Sequence, residues 1–382
     1  MQFRDLPKQY ETLKHQIDEA IMNVVTSARF ISGSEVKELE KILANYVGVK
    51  HCITCANGTD AISIAMRVWG VGKGDAVFVP DFTFFSSGEC PADEGATPIF
   101  VDVDQRSYNL DPIKLEETIK KVIADGKYKA RVVIAVDLFG LPADYPAIKA
   151  ICEKYGLLLL EDGAQGFGGN INRKQACSFG DISTTSFFPA KPLGCYGDGG
   201  AIFTDNDEWA DLIRSICVHG KDTRNPSDPN AKYNNIRLGK NSRLDTIQAA
   251  ILLPKFKAFV DYELTEINKV ANWYTEGLRD TELVLPDIKN GFYSSWAQYT
   301  VQLPINTDRI VLQTKLREKG IPSMVYYSKP LHRQGAFAGT NSANADCPVA
   351  EQLCSTVLSL PLDPYKTKED IDVVITELKN VL

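Results

Sequence analysis

Hydrophobic positions recur along the first 50 residues at the spacing of amphipathic helices. Aliphatic residues occupy every fourth position from Leu13 to Val25, and a second apolar set with helical spacing runs from Val36 to Tyr46. Such spacing places the apolar side chains on one face of a helix. The polar stretch between the two sets, Thr26 to Gly33, is predicted to be a loop.

From residue 51 the pattern changes to short apolar, β-branched runs separated by helical segments such as 59–69 and 145–155. Several of the runs are almost wholly apolar, as strands buried on both faces must be. The alternation predicts an α/β fold with a mostly parallel seven-stranded sheet flanked by helices. The strand candidates are His51 to Cys55, Ala76 to Pro80, Pro98 to Asp102, Val132 to Asp137, Leu157 to Glu161, Ile182 to Phe188 and Gly200 to Thr204.

The last third of the chain predicts a smaller α+β domain. We place the large domain at residues 1–250 and the small domain at 251–382, with the boundary inside a helix near residue 250 and a kink at Pro254. The pattern assigns the N-terminal helices to neither half. The elements expected in the small domain are a helix from Glu263, a strand at 298–303, a helix at 308–319, a strand at 323–327 and a helix from Lys368.

Charge and hydropathy exclude several classes of protein. The 382 residues carry a net charge of -7, and basic residues form no runs, which argues against binding to nucleic acid or to an anionic membrane surface. No apolar run reaches membrane-spanning length. The polar N-terminus lacks the apolar core of a signal peptide, so we expect a cytoplasmic protein.

Cysteine and histidine usage gives no metal or disulfide signature. The nine cysteines are an odd number scattered along the chain, which favours reduced thiols. Cys52 and Cys55 form an isolated C-x-x-C inside a predicted strand. We expect both side chains to be buried in the sheet and not to bind zinc or to carry out redox chemistry. The four histidines show no ligand spacing, and we predict no metal site.

The segment from Ser186 to Ala201 sets Lys191 among phenylalanines, two prolines and four glycines. Apolar neighbours remove water from an ammonium group and lower its pKa, which makes a neutral amine available to attack a carbonyl. This pattern is typical of a Schiff-base lysine that carries pyridoxal phosphate (PLP). A surface loop whose lysine points to water remains the alternative.

Other candidate residues follow predicted strands, where ligands bind in parallel sheets. Gly58 and Thr59 begin a helix, whose free N–H groups suit a phosphate, although an ordinary helix cap has the same pattern. Phe84 lies beside hydroxyl residues and offers a flat face to a ring, or else packs in the core. Asp162 ends a buried strand, where a carboxylate needs a donor such as a pyridinium N–H. A cap aspartate without a ligand is the alternative.

One long polar loop follows the predicted sheet. It runs from Val218 to Asn235 and contains Pro226 and Pro229. Such a long loop in a compact enzyme is typical of a binding or interface element, or of a mobile segment.

Taken in order, the motifs resemble those of the DegT and StrS type of sugar aminotransferases, which are PLP enzymes of fold type I, like aspartate aminotransferase. The likeness spans almost the whole chain. Its carriers are Gly33-Ser34-Glu35-Val36, Asn57-Gly58-Thr59-Asp60-Ala61, Thr83-Phe84, Gly95-Ala96-Thr97-Pro98, Val101-Asp102-Val103-Asp104, Glu161-Asp162-Gly163-Ala164-Gln165, Ser186 to Ala201 and Asn241-Ser242-Arg243-Leu244-Asp245.

The resemblance implies a role for each matching residue. Lys191 would bind PLP covalently, with pyridoxamine phosphate as the aminated form, and Asp162 would contact the pyridine nitrogen. Gln165 would lie against the ring, and Phe84 would stack on it. Gly58, Thr59 and Ser186 would hold the phosphate. The family also implies a homodimer with shared active sites, in which Asn241 reaches the phosphate of the partner subunit and Arg243 contacts an acidic part of the substrate.

The sequence around Lys191 is most similar to that of enzymes that aminate UDP-linked 3-oxo-hexuronates. The resemblance implies L-glutamate as amino donor and 2-oxoglutarate as product. A 4-keto-6-deoxy sugar nucleotide is the alternative substrate. The chain departs from the family pattern at Lys240, Asp137 and the Tyr326-Tyr327 pair, positions that surround the sugar in the family. Two rival interpretations are a non-catalytic PLP-binding regulator and a PLP lyase or desulfurase that uses the same lysine, which Cys195 near the site makes worth testing.

Overall fold

The structure is a computed structural model that describes residues 1–224 and 234–382. Part of the predicted loop from Val218 to Asn235, including Pro226 and Pro229, lies outside the described residues. A seven-stranded sheet forms the centre of the molecule, in the order β1-β9-β8-β5-β4-β2-β3. Its strands are β1 His51–Cys55, β2 Asp75–Pro80, β3 Thr97–Val101, β4 Lys129–Val136, β5 Leu158–Asp162, β8 Ile182–Ser186 and β9 Gly200–Thr204.

The sheet is mostly parallel, as predicted. Strands β8, β5, β4, β2 and β3 run in one direction, and only β9 is antiparallel to its neighbours β8 and β1. All seven predicted strands are present. Strand β8 ends at Ser186 and not at Phe188, because Ser186 is the last residue paired with β9, at Gly200.

Helices cover both faces of the sheet. One face carries α3 and α7 over a core that includes Ile64, Val79 and Ile202, and the other carries α5 and α6 over a core that includes Phe78 and Val133. The helices of this half are α1 Leu6–Ser27, α2 Ser34–Val47, α3 Gly58–Val68, α4 Ser86–Asp93, α5 Pro112–Asp125, α6 Tyr145–Tyr155 and α7 Asp207–Ile216. The predicted N-terminal helices are thus present, with α1 packed on the later helix α8, Thr246–Ala258.

The last third forms a second core around a two-stranded antiparallel sheet of β11 and β12. Its elements are α9 Leu264–Leu278, β11 Tyr299–Gln302, α10 Arg309–Glu318, α11 Pro348–Thr356, β12 Val357–Leu360 and α12 Lys368–Val381. A small sheet of β6 Asn170–Ile171, β7 Lys174–Gln175 and β10 Phe292–Tyr293 joins the two halves.

The strand predicted at 323–327 is wrong. Only Met324 pairs with a strand, through one bridge to Ser359. The chain then leaves the sheet edge and runs to the main sheet, where the Leu331 N–H donates to the Asp81 carbonyl oxygen at 2.9 Å. This second attachment prevents the segment from continuing along β12.

One helical segment connects the two halves. Helix α8 continues through Pro254, and a π-helical turn at Phe259–Glu263 leads directly into α9. The boundary predicted near residue 250 would fall inside α8, and it stays a prediction. Residues of the last third, such as Leu331 and Leu353, also pack in the core of the main sheet.

In the described part of the chain, no helix is both long and apolar enough to cross a bilayer. All nine cysteines are buried and free of disulfides.

Candidate active site

Four neighbouring parallel strands end at one edge of the sheet. Strands β2, β4, β5 and β8 end there, and the loops that follow them carry the predicted residues Phe84, Asp162, Gln165 and Lys191. Because parallel strands present their carboxyl ends on the same side, these loops converge. The candidate site therefore lies where the sequence predicts it.

Lys191 sits in a tight turn after β8. Its backbone N–H donates to the Phe188 carbonyl oxygen at 2.8 Å. Nearby, a side chain at Gly194 would come within 2.4 Å of the Pro189 carbonyl oxygen, so only glycine fits. Burial lowers the pKa of Lys191, while the nearby Asp162 carboxylate raises this pKa and the Arg4 charge lowers it further. Lys191 as a whole is half-buried, and its amine lies close enough to Asp162 for the two charges to interact.

Asp162 ends β5 and is almost fully buried. Ser87 Oγ donates to one carboxylate oxygen at 2.9 Å, and the Ala164 N–H donates to the other at 3.2 Å. Burial raises the pKa of Asp162, and these two donors together with Lys191 lower it. The carboxylate is thus held in place close to the amine of Lys191.

Gln165 is fixed at both ends of its side-chain amide. The Phe139 N–H donates to Gln165 Oε1 at 2.9 Å, and Gln165 Nε2 donates to the Tyr327 hydroxyl at 3.2 Å. This second bond connects the main sheet to the loop that carries the predicted substrate residues Tyr326 and Tyr327.

Aromatic rings border the site. The side chain of Phe84 is 53% exposed, and its ring centroid lies 6.4 Å from that of Tyr327. Tyr326 is part-buried, and its ring meets the edge of Phe3 at the same separation, 6.4 Å. An exposed phenylalanine face beside a buried carboxylate offers room for a flat ring.

The predicted phosphate residues meet at the start of α3. Asn57 caps this helix and takes the Asp60 N–H at 2.7 Å, which leaves the first turn to present Gly58 and Thr59. A Cβ atom at Gly58 would lie 2.9 Å from the Ser186 Cβ atom. The helix N-terminus therefore approaches the end of β8 as closely as glycine allows, next to a serine hydroxyl.

The structure does not bring two predicted residues to this site within one chain. Asn241 is exposed beside a bridge to Val218. Arg243 lines a different cavity of about 230 Å³, together with Lys37 and Arg214. None of the residues grouped around Lys191 lines that cavity.

The residues that depart from the family pattern also have defined positions. Lys240 forms an ion pair with Asp60 at 3.2 Å, on the side of α3. Asp137 is fully buried, where one carboxylate oxygen accepts from the Tyr145 hydroxyl at 2.6 Å. Its other oxygen has no partner among the described residues. Burial raises the pKa of Asp137 well above its usual value, and the nearby Glu161 raises it further.

The residues present fit pyridoxal phosphate. A lysine amine, a buried carboxylate aligned by two donors, an open phenylalanine face and a helix N-terminus beside a serine hydroxyl match the aldehyde, ring nitrogen, ring face and phosphate of that cofactor. The desulfurase reading loses support, because Cys195 is fully buried and burial raises the pKa of its thiol to about 11.

Sequence reasoning missed two supporting groups. Ser87, which aligns Asp162, lies in the hydroxyl-rich stretch after β2, but nothing in the sequence connects it to β5. His332 donates its backbone N–H to one Asp81 oxygen at 2.8 Å, and its Nδ1 lies 2.5 Å from the other. Cys347 Sγ lies close to this pair. Because His332 contacts both Asp81 oxygens, we interpret these three residues as a hydrogen-bonded cluster that holds the loop of Phe84 in place.

Comparison with proteins of known sequence identifies a family over nearly the full length. Residues 11–379 match the DegT/DnrJ/EryC1/StrS aminotransferase family. The chain is 43% identical to a UDP-2-acetamido-2-deoxy-3-oxo-D-glucuronate aminotransferase of Pseudomonas aeruginosa, over all of both chains. It is 41% identical to a pleiotropic regulatory protein of Geobacillus stearothermophilus, over 98% of this chain and 96% of that protein. It is 38% identical to a UDP-N-acetyl-3-dehydro-alpha-D-glucosamine 3-aminotransferase of Acidithiobacillus ferrooxidans, over 99% and 97%.

Solved structures agree with this result. A DegT DnrJ EryC1 StrS aminotransferase from Brucella abortus superposes with a TM-score of 0.94 at 44% identity, over 100% of this chain and 99% of that one. NtdA from Bacillus subtilis, solved with bound cofactor PMP, superposes with a TM-score of 0.86 at 30% identity, over 96% and 81%. With the site geometry, these matches identify a PLP-dependent enzyme that aminates a nucleotide-linked sugar, and the chain belongs to the DegT/DnrJ/EryC1/StrS aminotransferase family.

Proposed function

We propose that the protein transfers the amino group of L-glutamate to a UDP-linked 3-oxo sugar and releases 2-oxoglutarate. The observation that carries this proposal is the Lys191 side chain close to the buried Asp162 carboxylate, which Ser87 and Ala164 hold at the edge of the sheet where the strands end. Two of the similar proteins carry names that specify UDP-linked 3-oxo sugars, which supports this substrate class.

Asp162 would hold the pyridine nitrogen of the cofactor. Its carboxylate is fixed by Ser87 and Ala164, so it would accept the N–H of the ring without rearrangement. When bound, PLP supplies an electron sink that stabilises negative charge on the carbon next to the transferred nitrogen. An ionised Asp162 keeps the ring nitrogen protonated and so maintains that capacity.

Lys191 would carry the cofactor through Nζ and then act as the base. Because burial lowers its pKa, a larger share of the amine is neutral near neutral pH than for an exposed lysine. A neutral Nζ can take the α-proton of the amino donor and return a proton to the cofactor. The same group would serve both halves of the reaction, in opposite directions.

The remaining site residues would bind and orient. Phe84 would cover one ring face, and Gln165, fixed by Phe139 and Tyr327, would lie against the ring. Gly58, Thr59 and Ser186 would bind the phosphate with backbone and hydroxyl donors. The closure of the pocket by these groups would keep water from the reacting carbon.

The proposed active unit is a homodimer in which Asn241 and Arg243 enter the site of the partner subunit. Support comes from their position in one chain, where Asn241 is exposed and Arg243 lines another cavity. Exposed apolar side chains are found near both regions, with Leu238 92% and Phe188 52% exposed. Apolar surface of this kind is typical of subunit interfaces. Tyr326 and Tyr327 would then border the sugar.

We place the enzyme in the cytoplasm, where nucleotide sugars are made, and expect its product to serve amino-sugar and surface-polysaccharide synthesis. Residues 1–250 and 251–382 remain our proposed large and small domains. The continuous helix α8 to α9 would then act as the connection between them.

The test is a pair of half-reactions with the purified, PLP-loaded protein. L-glutamate should shift the cofactor absorbance to that of the amine form and release 2-oxoglutarate. A UDP-linked 3-oxo sugar should restore the original spectrum and give an amino sugar, in which mass spectrometry finds the keto oxygen replaced by an amino group and a hydrogen. A spectrum that does not respond to L-glutamate, or an amine form that no keto sugar reverses, would contradict the proposal.

The same assay separates the two rival readings. Reversal by a dTDP-linked 4-keto-6-deoxy sugar, and not by the UDP-linked 3-oxo sugar, would favour the other substrate class. The second alternative is a non-catalytic PLP-binding protein, and the 41% identity to a regulatory protein is a reason to test it. A non-catalytic protein would show a cofactor spectrum that no amino donor changes.

A further inference from the structure

The first five residues lie against the candidate active site. The Phe3 ring meets the edge of the Tyr326 ring, with centroids 6.4 Å apart. The Leu362 N–H donates to the Phe3 carbonyl oxygen at 3.0 Å, and the Asp5 N–H donates to Asp363 at 3.0 Å. These contacts on both sides fix the backbone of Arg4 next to the predicted substrate residue Tyr326.

The charge of Arg4 acts on Lys191. After burial and the opposing effect of Asp162, the Arg4 charge is a further cause of the lowered pKa of Lys191. A similar effect acts on Lys255, where burial is the main cause of a pKa lowered to about 8, Glu263 opposes it, and Arg4 adds to the lowering. Together with the contact of Phe3 and Tyr326, these effects place Arg4 at the border of the candidate site, within electrostatic reach of the reacting amine.

The guanidinium has an unused donor. Arg4 Nη1 is fully buried and has no hydrogen-bond partner among the described residues. Burial lowers the pKa of Arg4, although Asp363, Glu263 and Tyr365 act in the other direction. An arginine keeps its charge in proteins, so a buried guanidinium donor without a partner carries a desolvation cost that a ligand can remove.

The carboxylates nearest to Arg4 bind other groups of the protein. Asp363 binds Lys366 Nζ at 2.6 Å as well as the Asp5 N–H. Glu263 accepts from Gln9 Nε2 at 2.8 Å and from the Tyr365 hydroxyl. In the described part of the chain, neither of them comes within 4.0 Å of Arg4 to form an ion pair. The planar guanidinium is therefore free to take a carboxylate from outside the protein, ideally through two parallel bonds.

We propose that Arg4 binds a substrate carboxylate in the Lys191 pocket. This inference rests on the proposed function, which supplies two sources of that group: the amino donor L-glutamate and the sugar, if the sugar is a hexuronate. The chemistry is the same in both cases. A carboxylate held by Arg4 would orient the substrate so that its amine or carbonyl carbon faces the cofactor.

Binding measurements on the PLP-loaded protein test the proposal without requiring turnover. The probes are glutarate, UDP-glucuronate and UDP-glucose, measured by calorimetry against wild type, Arg4→Gln and Arg4→Lys. Loss of a charge-assisted bidentate contact should weaken binding about tenfold or more. We expect Arg4→Gln to weaken glutarate, or UDP-glucuronate, by that factor and to leave UDP-glucose unchanged, with a smaller loss in Arg4→Lys.

The pattern of losses identifies the source. A loss confined to glutarate assigns Arg4 to the amino donor, and a loss confined to UDP-glucuronate assigns it to the sugar; a loss of both means that one guanidinium serves both halves of the reaction. The KM of the affected substrate should rise while kcat changes less. Arg279→Gln is the matched control, because Arg279 is exposed on the small half of the molecule, and it should change none of these values.

Two results would overturn the inference. One is unchanged binding of both carboxylate probes in Arg4→Gln. The other is an equal loss for UDP-glucose, which would indicate a general distortion of the pocket. Wild-type protein that binds a carboxylate probe through Arg4 but transfers no amino group would refute the proposed function and leave this inference standing.

Discussion

At the scale of single residues, the site depends on two ionisable groups whose pKa values are moved by burial. The pKa of Lys191 is lowered and that of Asp162 is raised, and each charge opposes the shift of the other. Each group therefore makes the charged form of the other more favourable. Removing either one should change the cofactor spectrum as well as the rate.

Changing Lys191 to Ala should abolish the visible absorbance of lysine-bound cofactor and lower turnover by about a thousandfold or more, because both the covalent link and the base are lost. Absorbance spectra and the glutamate half-reaction measure the two effects. The control is Lys73→Ala, which alters an exposed lysine far along the chain and should retain normal values. Turnover retained by Lys191→Ala would remove this residue from the mechanism.

Gly58→Ala should weaken cofactor binding. The added methyl carbon would lie 2.9 Å from the Ser186 Cβ atom, so α3 and the end of β8 would have to move apart. Overpacking of this kind costs about 1–3 kcal/mol, and we expect PLP affinity to fall about tenfold. Titration of the apoprotein with PLP measures it. Gly72→Ala, whose new carbon would have its nearest neighbour at 3.6 Å, should bind PLP like wild type.

Asp137 should make stability depend on pH. Its folded pKa lies well above the unfolded value because of burial and Glu161, so the folded state binds more protons than the unfolded state above about pH 4. The free energy of unfolding should then fall as pH rises from that point.

Asp137→Asn removes this titration while retaining an oxygen for Tyr145. Between pH 5 and pH 8 the free energy of unfolding should fall in both proteins, and the fall should be about 1–3 kcal/mol smaller in the variant than in wild type. This difference is the cost of a buried polar group without a partner. Urea unfolding at both values measures the difference. An exposed Asp125→Asn variant should follow the wild-type curve. Equal slopes for wild type and Asp137→Asn would mean that other groups control the pH dependence.

The positions of individual site residues were predictable only where a motif carries them, and their roles stay predictions. Lys191, Asp162 and Gln165 belong to contiguous sequence motifs, and the structure places them at one edge of the sheet. Ser87 and Arg4 were not found, because their contacts join positions 75 residues apart in one case and opposite ends of the chain in the other. Long-range contacts of single side chains leave no local pattern in a sequence.

At the scale of elements, the buried strands were predictable and the edge elements were not. Strands covered on both faces are continuous apolar runs, and all seven were found. The segment 323–327 is apolar and aromatic like a strand, but only one of its residues pairs with a strand. The hydrogen bond from Leu331 to Asp81 draws the following residues to the main sheet. Strand β12, Val357–Leu360, was missed, and its partner β11 lies over 50 residues away, so that their pairing leaves no local pattern in the sequence.

His332 connects two of the loops that form the site. It holds Asp81, just before the Phe84 loop, and follows the loop of Tyr327. His332→Ala would remove the imidazole from one buried Asp81 oxygen and leave the backbone N–H on the other, and we expect a loss of about 1–3 kcal/mol in the free energy of unfolding. Urea unfolding is the measurement.

The control for His332→Ala is Glu351→Gln. Glu351 contacts the outer nitrogen of the same ring at 3.2 Å but is partly exposed, so its change should cost less than about 1 kcal/mol. Similar small losses for both variants would mean that Asp81 is stabilised without the imidazole.

At the scale of the whole molecule, the proposed dimer predicts complementation between inactive variants. A Lys191→Ala chain and an Arg243→Ala chain should each be nearly inactive alone. In a mixed dimer, one site would receive Lys191 from one chain and Arg243 from the other. Random pairing gives half mixed dimers with one intact site each, so co-expression should restore about a quarter of wild-type activity.

The mixed dimer can be isolated with two different affinity tags and assayed beside both parents. A mixture of Lys191→Ala with Asp162→Ala is the control. Both residues belong to the same chain's contribution to a site, so neither site of the mixed dimer is intact and no activity should return. An Arg243 mixture that stays as inactive as this control would place Arg243 in its own subunit's site.

The π-helical turn at Phe259–Glu263 accommodates one extra residue without breaking the rod from α8 to α9. Its five residues cover about the same rotation and rise as four residues of an α-helix. Losing exposed Val260 would therefore turn the segment into plain α-helix and leave α9 in phase. Elsewhere in α8 or α9, a one-codon deletion would rotate everything after it by about 100°, so tolerance of deletions in this rod should be greatest at the π turn.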